Sequence, residues 1–183
     1  MNVSPIWMVT GPRQAGKTSF CRGVSQAARQ AGWDVAGLLS PARFEQGVKT
    51  GILVENLCSA ETLQLASISP QSPDDLAFGN WYFDPKTLAW GNQVLENSLP
   101  CDLLIVDELG PLELTRQMGW QAAFGTLRRG EYCLALVVIR PELQTAASRL
   151  FVISKIIEIN LTHPTDTWVR LYWPSMMEVK SAT

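Results

Sequence analysis

The strand-like run PIWMVT, residues 5–10, leads directly into GPRQAGKT, residues 11–18. This octet fits G-x-x-x-x-G-K-[ST] at every fixed position, and no other feature of the chain constrains its fold as strongly. A buried strand, a glycine loop and a helix in that order form the first half of a βαβ unit, which needs a parallel sheet with helical crossovers. Gly11 and Gly16 permit backbone conformations that bulkier residues resist, so successive N–H groups can converge on an anion. The start of the helix adds about half a positive charge at the same point. Lys17 is positioned to meet β- and γ-phosphates, and the Thr18 hydroxyl to ligate Mg²⁺. The expected cradle is Gly11, Pro12, Arg13, Gln14, Ala15, Gly16, Lys17, Thr18 and Ser19.

The rest of the chain alternates short apolar runs with helical stretches. A helix is expected from Lys17 to about Ala31, stopped by Gly32, followed by the strand WDVAGLLS. Residues 42–65, broken at Gly47 and at Ser59-Ala60, suggest an antiparallel hairpin excursion with a third short strand. Residues 68–80, with two prolines and two aspartates, are expected to be irregular. Asp84-Pro85 caps a helix running to about Ser98. Then come the strand CDLLIVDE, a helix capped by Thr115 and ending at Arg129, and the strand YCLALVVI. A short helix in PELQTAASRL and the strand KIIEI complete the pattern. The tail from Asn160 can add a helix, with residues 174–183 prone to fray. All of this is expected within one domain, residues 1–183.

A phosphate cradle needs a metal partner. Asp107 ends the apolar run LLIV, the position of an acid that holds Mg²⁺, usually through water. Glu108 then stands at the carboxyl end of a central strand, beside the crevice where α/β sheets bind ligands. A carboxylate there can orient and deprotonate water, which favours hydrolysis. Arg140, after YCLALVVI, ends a strand on the same edge and is a candidate contact to the γ-phosphate. The predicted catalytic set is Glu108, Lys17 and Arg140, with Thr18 and Asp107 on the metal.

Together, GPRQAGKT, VAGLLSPARFEQGVKTGILVENL and LLIVDELGPLEL resemble the cancer-related nucleoside-triphosphatase family of P-loop proteins. That family carries G-x-P-G-x-G-K-T, an arginine followed shortly by G-x-R-x-G-F, and D-E-x-G-x-x-E. The last is matched here by Asp107, Glu108, Gly110 and Glu113. Arg43 matches the first arginine, Lys49 stands in place of the second, and Ile52 replaces the phenylalanine. Arg13-Gln14 replaces the family's proline-glycine, and its asparagine-arginine pair is not evident in NLTHPTDTWVR. The resemblance implies a three-layer α/β P-loop NTPase fold: a mostly parallel central sheet flanked by helices, with a strand between the cradle strand and the acid-bearing strand. It also implies a Mg²⁺-dependent NTPase that accepts several nucleotides.

Composition narrows the alternatives. A net charge of −2 argues against bulk electrostatic binding to nucleic acid. Charged residues make up 17%, against roughly 25% in typical soluble domains, and there are seven Trp. Both facts fit a large core and leave room for a homo-oligomer or a protein partner. Four scattered cysteines and one histidine match no common zinc spacing, and the cysteines are expected to be reduced and mostly buried. No signal peptide or membrane span is evident, so a cytoplasmic protein is expected. His163 is expected in a loop, and TWVRLYW, 167–173, to pack on the sheet rather than stack on a base. Kinase chemistry stays open through Arg116, Arg128, Arg129, Arg140 and Arg149, as does a nucleotide-dependent switch. No N-K-x-D follows the acids, so nothing favours guanine.

Overall fold

The computed structural model describes residues 4–182. In chain order the elements are β1 (Ile6–Thr10), α1 (Lys17–Gln30), β2 (Val35–Leu39), β3 (Ala42–Glu45), β4 (Val48–Asn56), β5 (Thr62–Ser67), β6 (Leu76–Phe78) and β7 (Trp81–Phe83). There follow α2 (Pro85–Glu96), β8 (Cys101–Leu109), α3 (Pro111–Leu114), α4 (Ala122–Arg129), β9 (Tyr132–Ile139), a 3₁₀ turn (Pro141–Leu143), α5 (Gln144–Ser148), β10 (Ile153–Glu158) and α6 (Thr165–Ser181).

One sheet runs through the molecule in the order β10-β1-β9-β8-β2-β4-β5-β7-β6, with β3 paired to β4. The first five strands are mutually parallel. As expected, a strand (β9) lies between the cradle strand β1 and the acid-bearing strand β8. The hairpin excursion is present and continues the sheet, because β4 pairs antiparallel with β2.

The central strands are apolar on both faces, as a doubly covered parallel sheet requires. Leu104 and Val106 of β8 point into a core with Leu88, Leu95, Trp120 and Leu127 from α2, α4 and the segment before α4. Leu103 and Ile105 point the other way, to Phe20 and Val24 of α1 and Met176 of α6. Each fully buried Leu or Ile contributes about 1.5–3 kcal/mol relative to exposure, so the sheet is firmly clamped between its helices.

Several expectations need correction. The helix expected from Thr115 to Arg129 begins only at Ala122: Thr115 is instead the C-cap of the short α3, and a turn with positive φ at Gln117 and Gly119 separates α3 from α4. The buried Glu113 carboxylate causes the break by accepting from the Trp120 N–H at 3.1 Å, which ties the turn back on itself. Residues 68–80 are not irregular throughout, since β6 lies within them and pairs with β7 across Gly79-Asn80. The tail does not fray at residue 174. Helix α6 runs through Pro174 to Ser181 because Met176 is fully buried and Trp173 packs on Trp33; residue 183 lies outside the described residues. Cys58 is exposed, contrary to the expectation for most cysteines, while Cys21 and Cys101 are buried. The α2 cap is as expected: Asp84 accepts from the N–H groups of Lys86 and Thr87 at 3.0 and 3.3 Å.

Candidate active site

β1 delivers the cradle at the carboxyl edge of the sheet. Gly11 has φ +139°, and a Cβ there would lie 2.0 Å from the Ile159 carbonyl oxygen, so the loop can press on the chain leaving β10 only as glycine. Gly16, at φ +95°, caps α1 with no side chain bonded to the first-turn amides. Those amides, with the helix dipole behind them, have the arrangement that suits an anion. Gln14 adopts φ +61° without being a glycine, and Ala15 is buried. The free positions of the motif therefore support the same curled backbone.

Lys17 is nearly buried, and its Nζ donates to the carbonyls of Gly11 and Pro12 at 2.8 and 2.7 Å. Burial lowers its pKa, while Glu108 and Asp107 act in the opposite direction. Asp107 is buried, and the Thr18 hydroxyl at the start of α1 favours its charged form. It also accepts from the Ser40 N–H at 3.1 Å, and the Ser40 hydroxyl donates to its main-chain carbonyl. Burial pushes the Asp107 carboxyl up to about 7 despite these bonds, with Glu108 adding to the rise.

The β8–β9 ladder slips between Val106 and Leu109. The two consecutive acids therefore take different environments. Asp107 is sealed in, whereas Glu108 stays partly open and meets Arg140, whose Nε and Nη2 lie 2.7 and 2.6 Å from Oε1. Because β9 runs between β1 and β8, Arg140 at its end stands between cradle and acids. Behind them, Glu113 accepts from the Gly110 N–H at 2.8 Å as well as from Trp120. Burial pushes Glu113 up to about 7, and the Glu108 charge adds to the rise.

Of the sequence candidates, the structure thus gathers the cradle, Thr18, Asp107, Glu108 and Arg140 at one sheet edge. Among the five arginines considered for a lid, Arg140 is the one engaged with the acid pair; Arg129 pairs with Glu131, and Arg116, Arg128 and Arg149 are exposed. Arg43 bonds Glu45 and Gln64 in a separate cavity of about 310 Å³ lined by none of the cradle residues. Trp168, Val169, Tyr172 and Trp173 pack on the α1 side, and His163 is exposed with its ring edge against Trp168. Sequence reasoning missed Ser40 and Gln144, whose Nε2 donates to Thr10 Oγ1 at 3.2 Å. Ser40 carried a usable signal, as a small hydroxyl residue closing a strand that runs to the same sheet edge.

The donor set suits a magnesium ion. The buried Asp107 carboxyl and the Thr18 hydroxyl that acts on it are hard oxygen ligands beside the glycine loop, and Mg²⁺ characteristically takes one or two protein ligands with substrate phosphates and water. Among the described residues no group of three or more His, Cys, Asp and Glu side chains gathers to hold an ion unaided.

A family model described as NTPase matches residues 7–161. The chain belongs to this NTPase family. Its relatives include proteins named nucleoside-triphosphatase THEP1, from Caldivirga maquilingensis (30% identical over 107 residues) and Ignicoccus hospitalis (31% over 106). Each of these matches covers 58% of this chain and 59% of the relative, so the chain spans well under two thirds of their length. The THEP1 of Methanosarcina acetivorans is 26% identical over 70% of this chain and 73% of its own. The solution structure of a human cancer-related nucleoside triphosphatase superposes with a TM-score of 0.71 at 20% identity, covering 94% of this chain and 97% of that one. The crystal structure of THEP1 from Aquifex aeolicus gives 0.63 at 15% identity, over 94% and 99% of the two chains. Both share the fold described above.

Proposed function

We propose that this chain is a Mg²⁺-dependent nucleoside triphosphatase that cleaves the β–γ bond of ATP, GTP or a related NTP, releasing NDP and phosphate. The observation that carries this reading is the division of labour between neighbouring acids. Asp107 is buried against Thr18 beside the cradle, while Glu108 stays partly open next to Arg140.

The cradle amides and Lys17 bind the β- and γ-oxygens and take up the charge that builds on the leaving β-phosphate. Mg²⁺, held by Thr18 and Asp107, would supply further neutralisation of the phosphate oxygens. Glu108 orients a water in line with the β–γ bond and accepts its proton as the new P–O bond forms. Arg140 engages Oε1, so Oε2 is the oxygen that takes that proton. As the γ-phosphoryl group separates, Arg140 can turn to its equatorial oxygens. Glu113 supports this arrangement by holding the Gly110 turn immediately after the acids.

The test is phosphate release from ATP, GTP, CTP and UTP, with and without Mg²⁺ and with no acceptor added. Release that requires Mg²⁺ and disappears in Lys17→Ala is expected; release only on addition of a hydroxyl acceptor would make the protein a kinase instead. A second reading, a nucleotide-dependent switch, is favoured by the Glu108–Arg140 pair, which engages both residues with each other and which a γ-phosphate would break. Tight binding without turnover would support it. We further assign the activity to one domain in the cytoplasm. Four free cysteines support a reducing compartment, and no helix among the described residues is long and apolar enough to cross a membrane. The low charge, the exposed Ile156 on edge strand β10 and the exposed Val152 just before it support contact with a second copy or another protein.

A further inference from the structure

Only the end of β4 touches the parallel sheet. Asn56 and Glu55 pair with Leu38 and Leu39 of β2, and the preceding residues run back past the carboxyl ends of the parallel strands. Lys49, six residues before Glu55, is about 20 Å along the strand from that junction at about 3.3 Å per residue. This is the direction of the edge where the cradle and acid pair stand. The arm is also bent. Its pairing slips between Ile52 and Leu53 against β5 and between Arg43 and Phe44 against β3, and such bulges turn a strand.

The arm therefore leads Lys49 past the carboxyl edge of the sheet, where it is half-buried beside Trp81. Besides burial, the groups that act on its ammonium are Glu108, Arg140, Asp107 and Arg13, the acid pair, the arginine bonded to it and one cradle residue. Lys17 answers to three of the same residues from the α1 side: Glu108, Asp107 and Arg140. Among the described residues Lys49 makes no ion pair within 4 Å. Its Nζ sits 5.0 Å from the centroid of the Trp81 ring, which the β6–β7 hairpin holds in position. A half-buried cation resting on an aromatic face, beside acids yet not bonded to them, keeps its hydrogen-bonding capacity for an incoming anion.

We propose that Lys49 contacts the terminal phosphate of the bound nucleotide from the hairpin arm, with Trp81 holding the ammonium ready for it. This rests on the NTPase reading and adds a way of selecting triphosphate over diphosphate. Lys17 and the cradle amides keep their β-phosphate contacts with either nucleotide, whereas Lys49 would contact only the γ-phosphate, which an NDP lacks.

The experiment compares the full chain and Lys49→Met for binding of Mg²⁺ with a non-hydrolysable NTP analogue and with the matching NDP. The wild-type protein is expected to favour the triphosphate. In K49M the affinity for the triphosphate analogue falls about 10- to 100-fold, the value of one charged hydrogen bond, while NDP affinity stays within twofold. Lys49→Arg retains most of the triphosphate preference, which separates loss of charge from damage to the arm. Equal losses for both nucleotides, or none, overturn the assignment of Lys49. If the wild-type chain binds neither nucleotide, the NTPase reading falls with it; if it binds and hydrolyses NTP while K49M is unaffected, only the Lys49 assignment falls.

Discussion

Replacing Glu108 by Gln keeps the shape of the side chain and removes its charge and basicity, so it separates the tasks assigned to this residue. Arg140 places both Nε and Nη2 on one Glu108 oxygen at 2.7 and 2.6 Å, with 26% and 29% of the two side chains exposed. Exposed ion pairs contribute up to about 1 kcal/mol, and this geometry is near the upper end of that range. The variant is therefore expected to lose about 1 kcal/mol, a fall in Tm of about 2–4 °C for a chain of this size. Loss of the general base lowers kcat by about 10² to 10⁴, equivalent to about 3–5 kcal/mol in the barrier. Affinity for Mg²⁺ with a non-hydrolysable NTP is expected to hold or improve, because Arg140 loses its carboxylate partner and is free for the γ-phosphate. Single-turnover phosphate release, calorimetric binding and thermal melts on one preparation measure all three quantities. Turnover within tenfold of wild type would remove Glu108 as the base. An affinity weakened more than tenfold would show that its carboxylate holds the nucleotide or its metal.

Glu113 gives a pH prediction. Its carboxyl is raised from 4.5 to about 7 in the folded chain. Between those values the folded protein keeps a proton that the unfolded chain releases, so raising the pH favours unfolding, by up to about 1.4 kcal/mol per pH unit for one group. Above about 7 both states are ionised and the contribution is flat. Glu113→Gln is expected to flatten the wild-type decline in urea stability between pH 5 and 7; an unchanged difference curve would refute the assignment. Gly37 has φ +105° inside a buried strand, and a Cβ there would stand 2.0 Å from the Ile105 carbonyl oxygen. Gly37→Ala is expected to cost at least about 2 kcal/mol in chemical denaturation, and a neutral result would show that β2 can shift away from β8.

What the sequence made legible were features encoded at fixed short spacing. Gly11, Gly16, Lys17 and Thr18 act through their own loop, and LLIV before Asp107 marks a strand buried on both faces wherever it sits in the sheet. Features that depend on contacts between distant segments were not readable in the same way. The break between α3 and α4 exists because the Glu113 side chain reaches the Trp120 N–H, and helical periodicity carries no trace of that bond. The persistence of α6 past Pro174 depends on burial of Met176 and on the ring of Trp173 against Trp33, which outweigh the helix-breaking tendency of proline. The β6–β7 hairpin within the stretch expected to be irregular was not read, and the contact of its Trp81 ring with the Lys49 ammonium joins strands far apart in the chain.

The strand order also bears on why water is the better acceptor. Neighbouring strands lie about 4.8 Å apart, so inserting β9 between β1 and β8 sets Glu108 about 10 Å across the sheet from the cradle strand. That separation leaves room for a terminal phosphate and one water between Lys17 and Glu108, with Arg140 rising from the intervening strand. A kinase needs, in addition, a surface that binds the acceptor and excludes water while the phosphate moves. Of the arginines considered for such a lid, Arg140 is engaged with Glu108, and the others pair with Glu131 or are exposed. The β3–β4 arm carries one ammonium resting on a tryptophan, with exposed Phe44 and Val48 next to Lys49 at its tip. Apolar side chains there can shield a phosphate but offer no hydrogen bonds to orient a second substrate, which favours water over a hydroxyl acceptor in the reaction we propose.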